Sequence, residues 1–345
     1  MERSDTHAGR LISRRQAIKF GLLTTSGVTA AGLVGSGRLG RAAAVEMKLG
    51  SDSPAGHPFN IGLEVLKKEI ETKSQGRVAA TIYPDAQLGG EEAMTSGLKI
   101  GSVDALFAST GVLSSSVPEL GIFDLPFLFR DLDQMLRAAS GPVGARYKGK
   151  IESAVGAELI GWGATGSRNM WNSKRAIRTP QDVKGLKMRT QSSRVQQDTY
   201  IAFGALPTVV PFVEVYTALQ TGVVDGADIG ISDILPLKFY QVMKHMTMTR
   251  HFFLNNPFLV SAKFLQKLSK EDQDIVREAG RKAVAAEIQA DKDIEKSGIA
   301  ELRQKGIQII EPEDRAAFVK VAEPVQAKHA DRLGGADLLK LAREA

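Results

Sequence analysis

The chain has 345 residues, of which 45 are Lys or Arg, 39 are Asp or Glu and none is Cys. That length suggests about two domains with ordinary apolar cores, and the missing cysteines exclude disulfides, cysteinyl metal sites and cysteine nucleophiles. The formal net charge of +6 gathers at the N-terminus: residues 1–44 hold seven of the basic and two of the acidic residues, leaving 38 against 37, so nothing in the remainder favours nucleic acid or an anionic membrane as a partner.

Residues 1–44 read as an export signal. SRRQAIK (13–19) resembles the twin-arginine pattern, with Ala17 where that pattern prefers Phe, and a weakly apolar Gly/Thr/Ala-rich run over 20–34 follows it. Ala42, Ala43 and Ala44 supply a small-residue cleavage site. A basic tail ahead of a helix and a single membrane anchor are the competing readings. Glycines interrupt the apolar run, and it falls short of the ~20 residues that span a bilayer.

Beyond Ala44 the pattern alternates strand and helix. Strands are expected at 47–50, 78–83 and 103–108, with helices between them at 60–73, through Ile61, Val65, Leu66 and Ile70, and at 91–100, stopped by Gly101. This order favours a doubly wound, largely parallel sheet. Helices at 132–139 and 143–154 and a strand at 158–163 come next. A second α/β unit occupies 168–253, and a strand at 256–262 returns to the first. A long amphipathic helix at about 270–305, a short strand at 307–310 and further helices complete the chain. Two crossings between units imply two connecting strands, the arrangement of a hinge.

Within the second unit, Thr179 can cap a short helix with Pro180 in its first position and Asp182 in its positive first turn. Gly185 can end that helix, so that residues 186–189 form a strand with Arg189 at its far end, on the rim where α/β sheets bind ligands. The other fate of such an arginine is a surface salt bridge. Catalytic patterns are missing: His57, His245, His251 and His329 show no metal spacing, and no nucleophile elbow, Walker loop or strand-GxGxxG-helix unit occurs. No cofactor or metal is expected, and a secreted α/β enzyme is the alternative of a different class.

The segments TPQDVKGLKMR (179–189) and PFVEVYTALQTGVVDG (211–226), preceded by YPDAQLGGE (83–91) and LPFLF (125–129) and followed by KFYQV (238–242), together resemble the periplasmic solute-binding subunit of TRAP transporters, the DctP type. The resemblance runs in order over most of 46–310. It implies an α/β, two-lobed periplasmic binding protein, each lobe a mixed sheet flanked by helices, with a hinge and long C-terminal helices. Lobe I is expected at 45–165 plus 254–294 and lobe II at 166–253 plus 295–345. The implied function is capture of a small carboxylate, such as a sugar acid or C4-dicarboxylate, for the TRAP membrane permease subunits. No nucleic acid is expected as a partner, nor membrane insertion of the mature chain. An ABC-type or sensory binder of the same shape is the runner-up.

The resemblance also implies site residues. Arg189 matches the arginine that grips the ligand carboxylate, a task suited to the planar two-donor guanidinium. Arg168 is similar to a second ligand-facing arginine, with an interdomain ion pair as its alternative. Phe212 would stack on the ligand's apolar face or pack in the core. Asp52 and Ser53 follow the first strand, where members of the family place polar ligand contacts. Glu91 opens a helix, where it would accept hydroxyl hydrogen bonds or complement the helix dipole. Ser109 ends the third strand. Asp228 would reach ligand hydroxyls or cap the helix near Ile231. Sialic-acid-binding members carry Glu where Ser109 stands and Asn where Ile229 stands, which argues against that ligand. Trp171 faces away from Arg168 by strand alternation and reads as core. His57 reads as an exposed loop or helix-start residue, with lining the cleft as its alternative.

Overall fold

A computed structural model describes residues 44–345, so the expected export signal lies outside the described residues apart from Ala44. The strands are β1 (Val45–Gly50), β2 (Val78–Tyr83), β3 (Ala105–Phe107), β4 (Ala157–Asn172), β5 (Lys187–Thr190), β6 (Leu206–Val209), β7 (Gly226–Ile229), β8 (His245–Ser261) and β9 (Gln308–Ile310). They build one mixed sheet in the order β2-β1-β3-β8-β4-β7-β5-β6, with β9 beside β8. On one side β1 runs parallel to β2 and β3; on the other β5 runs parallel to β6 and β7. The antiparallel pair β4 and β8 joins them, with β3 on the C-terminal part of β8 and β7 on the C-terminal part of β4.

The two long strands are the main departure from the sequence reading. The strand expected at 158–163 and the start of the unit expected at 168–253 are a single 16-residue strand, and the strand expected at 256–262 is the end of a 17-residue one. Gly161, Gly163 and Gly166 do not end the strand. They mark instead the register shifts that bend β4 against β8. Gly166 itself has φ of 59°, a left-handed conformation that a side chain would strain.

Helices cover both faces. Pro58–Lys73 starts with Pro at its first position and buries Leu63, Leu66 and Ile70. It packs on the long helix Lys270–Gln304, capped by Ser269, which turns Val276, Ala279, Gly280 and Ala283 inward. The helices approach closely: a Cβ on Gly62 would sit 2.8 Å from the carbonyl oxygen of Ala283. Apolar clusters lie on each half of the sheet, one around Met47, Leu66, Phe107 and Phe258, another around Trp171, Ile229, Met246 and Leu302.

The C-terminal helices pack on different halves of the sheet. Helix Arg315–His329 packs over the second half, where Phe318 and Ala322 join Met170 and Met188. Helix Gly335–Glu344 turns back to the first half: Leu338, Leu339 and Ala342 pack with Met135 and Tyr147, and the Tyr147 hydroxyl donates to the Leu333 carbonyl at 2.7 Å. The last helix therefore packs on elements of 45–165. Its apolar stripe matches the one left open by the helices Leu132–Ser140 and Pro142–Val155, a pairing that periodicity alone does not specify.

Candidate functional site

The strand ends meet at a cleft between the two halves of the sheet. From the first half come Asp52 and Ser53, in the loop after β1, Glu91 at the first position of helix Glu91–Ile100, and Ser109, which caps a short helix after β3. From the second come Arg168 of β4, Arg189 of β5 and Phe212 after β6. Asp228 does not line it. That side chain lies behind Arg168, accepting from Nη2 on its Oδ1 at 3.4 Å and on its backbone oxygen. It does not cap the helix Ile231–Ile234 either, whose cap residue is Gly230.

Arg189 is almost wholly buried, at 2% exposure. Between β6 and β7 its backbone is fully occupied by ladder bonds, and its Nε donates to the Val210 carbonyl at 2.8 Å. Its Nη1 has no protein acceptor, and the guanidinium carbon stands 5.8 Å from the centre of the Phe212 ring, within cation-π range. Burial brings the Arg189 pKa down to about 10, so it stays charged at neutral pH. Arg168 is as deeply buried. Its Nη1 donates to Asp233 Oδ2 at 3.4 Å, and its Nε has no protein acceptor. Buried guanidinium hydrogens without acceptors are costly unless an anion meets them.

The opposite wall is acidic. Asp52 Oδ1 accepts from the Ser53 hydroxyl at 3.2 Å while Oδ2 has no protein partner. Glu91 Oε1 accepts from the backbone N–H of Ser109. Burial raises Glu91 to about 8, and the charge of Asp52 adds to the rise. Burial raises Asp52 to about 6, with His57 pulling the other way. At neutral pH the pair therefore holds close to one proton and keeps oxygen acceptors on the cavity.

Sequence reasoning missed Phe59, Thr165, Gln191, Asp233, Leu254 and Asn256, which also line the cavity. Gln191 follows Arg189 off the end of β5, so the rim rule that singled out Arg189 extends to it; its Nε2 donates to the Ser109 hydroxyl oxygen at 2.9 Å, joining the two halves. Thr165 and Asn256 meet only where β4 crosses β8, with Asn256 Nδ2 donating to Thr165 Oγ1 at 3.0 Å, and no local pattern predicts that. His57 does start a helix as expected but is fully buried, not exposed, and donates to Asp233 of the second half from behind the cavity wall. Trp171 is core, packed with Ile229 and donating to its carbonyl at 2.9 Å. Among the described residues no three or more His, Asp or Glu side chains are grouped to hold a metal ion, and no helix is long and apolar enough to cross a membrane.

Comparison with known proteins fits this arrangement. The family model described as bacterial extracellular solute-binding protein, family 7 (DctP), matches residues 49–333. A solute-binding protein of Verminephrobacter eiseniae is 36% identical over 302 residues, covering 86% of this chain and 88% of its own. The crystal structure of a TRAP periplasmic solute-binding protein from Polaromonas sp. JS666 bound to D-erythronate superposes with a TM-score of 0.83 at 35% identity, over 87% of this chain and 98% of that one. Another, from Sulfurospirillum deleyianum with bound succinate, gives 0.83 at 30% identity, over 87% and 99%. All are binding proteins, and all span nearly the whole described fold.

Proposed function

Because the chain belongs to bacterial extracellular solute-binding protein family 7, we propose that it is the periplasmic binding subunit of a TRAP transporter, takes a small hydroxylated monocarboxylate into this cavity and delivers it to the membrane permease subunits. The twin-arginine signal would export it. Two lobes, built around residues 45–165 and 166–253, would close on the ligand.

The observation that carries the ligand class is the division of charge across the cavity. On one wall Arg189 and Arg168 hold buried donor hydrogens with no protein acceptor, suited to a carboxylate. On the other, Asp52 Oδ2 and Glu91 present oxygens that suit ligand hydroxyl hydrogens, and the Asp52 charge repels a second carboxylate. D-Erythronate has one carboxylate and three hydroxyls on four carbons and fits both walls. Succinate, with a carboxylate at each end, would set one of them against Asp52 and Glu91. The apolar sides of Phe212 and Phe59 flank the carbon chain.

Thermal melting of the mature chain with D-erythronate, succinate and erythritol tests this. A ligand at a hundred times its Kd stabilises by about 2.7 kcal/mol. D-Erythronate is expected to raise Tm by several degrees, succinate by much less, and uncharged erythritol not at all. An equal shift with succinate rejects the acidic-wall reading, and a shift with erythritol rejects the carboxylate anchor.

A further inference from the structure

His57 uses both ring nitrogens. Nδ1 accepts from the backbone N–H of Phe59 at 3.2 Å, capping helix Pro58–Lys73, which leaves the ring hydrogen on Nε2. Nε2 donates to Asp233 Oδ1 at 2.8 Å. The other oxygen of Asp233 accepts from Arg168 Nη1 at 3.4 Å. Neither His57 nor Asp233 reaches solvent appreciably, at 0% and 4% exposure. They come from opposite sides of the sheet: His57 precedes the helix after β1, Asp233 lies in the helix after β7, and β3, β8 and β4 separate those strands. The bond therefore spans the two walls. Asp233 lines the cavity and His57 stands behind it.

From this geometry we infer that His57 is a positioning residue for Arg168 and the latch that holds the two walls together. Burial alone would raise the Asp233 carboxyl, yet the bond to His57 and the nearby Arg168 charge keep it below the ordinary carboxylate range. A buried carboxylate is tolerated only with such partners. Parting the walls separates His57 from Asp233, so the hydrogen bond favours the closed arrangement whether or not a ligand is present. In that arrangement Asp233 fixes one terminal nitrogen of Arg168, which orients the guanidinium without His57 touching the ligand.

The two roles of the imidazole can be separated by substitution. His57→Asn keeps a short acceptor for the Phe59 N–H but is too short to reach Asp233. His57→Gln sets an amide N–H near the place of Nε2 but gives up the cap. The chain has no cysteine, so cysteines introduced at exposed Ser96 and Thr217, one beside each wall, take spin labels there alone. Without ligand, dipolar spectroscopy of the wild type is expected to show a short-distance population. His57→Asn should deplete it roughly ten- to a hundredfold, as for a charge-assisted hydrogen bond, and His57→Gln should keep most of it at a lower Tm. With D-erythronate, His57→Asn should speed dissociation by a similar factor and leave association nearly unchanged. A ligand-free wild type with no short population, or one that His57→Asn leaves unaltered, overturns the latch, as does His57→Gln behaving like His57→Asn. The dissociation arm rests on the ligand proposed above and the distance arm does not. A wild type indifferent to D-erythronate thus counts against that ligand, while the distances still decide the latch.

Discussion

At the scale of single residues, carboxylate capture depends on Arg189. Replacing it with alanine leaves that carboxylate desolvated and unpaired, a loss of roughly 2–5 kcal/mol, or about thirtyfold to several thousandfold in affinity. Lysine keeps the charge and loses the planar fork. Calorimetric titration with D-erythronate is expected to rank wild type, Arg189→Lys, Arg189→Ala in falling affinity, with all three folded by circular dichroism. Wild-type affinity in Arg189→Ala removes this residue as the anchor. Glu91 carries a second prediction. Its carboxyl, raised from 4.5 to about 8, binds a proton in the fold that the unfolded chain has lost over that interval. Its favourable contribution is full below pH 4.5 and is lost as pH rises through about 8. Glu91→Gln copies the protonated form, so in ligand-free protein its Tm should match wild type near pH 5 and exceed it near pH 9. A difference that does not change with pH contradicts the buried-acid assignment. Arg189 and Glu91 were legible because each opens or closes an element, and such positions face the rim of an α/β sheet. Asp233 was not: Asp228 and Asp233 look alike in sequence, and only the partners in space put one behind Arg168 and the other on the cavity.

At the scale of elements, the turn that leads into β5 shows how local chemistry places a site residue. Asp182 Oδ2 accepts from the backbone N–H of Thr179 at 2.8 Å and of Arg178 at 2.9 Å, and from the Thr179 hydroxyl at 3.0 Å, closing a capping box around Pro180–Val183. Asp182→Ala should cost roughly 0.5–2 kcal/mol, read as a lower urea midpoint with an unchanged slope. An unchanged midpoint means the box contributes nothing net. Thr, Pro, Asp and Gly at fixed offsets made this turn readable from sequence, as did the helix 91–100, whose bounds periodicity and Gly101 gave to the residue. β4 was misread because glycine signals a break and a bulge alike, and only the partner strand tells which; β8 has no glycine, but Asn255, Asn256 and Pro257 inside it are residues that commonly end strands. The docking of helix Gly335–Glu344 was unreadable for a similar reason: an apolar stripe says that a face is covered, not by what.

At the scale of the whole molecule, the continuous sheet makes β4 and β8, among the described residues, the only strands shared by both walls, since β3 pairs with one end of β8 and β7 with one end of β4. Ligand contacts on both walls thus bear on their relative placement, and the Ser109–Gln191 and His57–Asp233 bonds connect the walls without any ligand. The pattern of alternating strands and helices made this class of fold legible, whereas the pairing across the cavity depends on residues up to 176 apart in sequence. The central claim is that a hydroxylated monocarboxylate lies between these walls with its carboxylate on the arginines. The most direct measurement is a crystal structure of the mature chain grown with D-erythronate. The expected density puts the carboxylate within hydrogen-bond distance of Arg189 and Arg168 and at least one hydroxyl on Asp52 or Glu91. D-Erythronate bound elsewhere, or with its carboxylate turned away from both arginines, contradicts it.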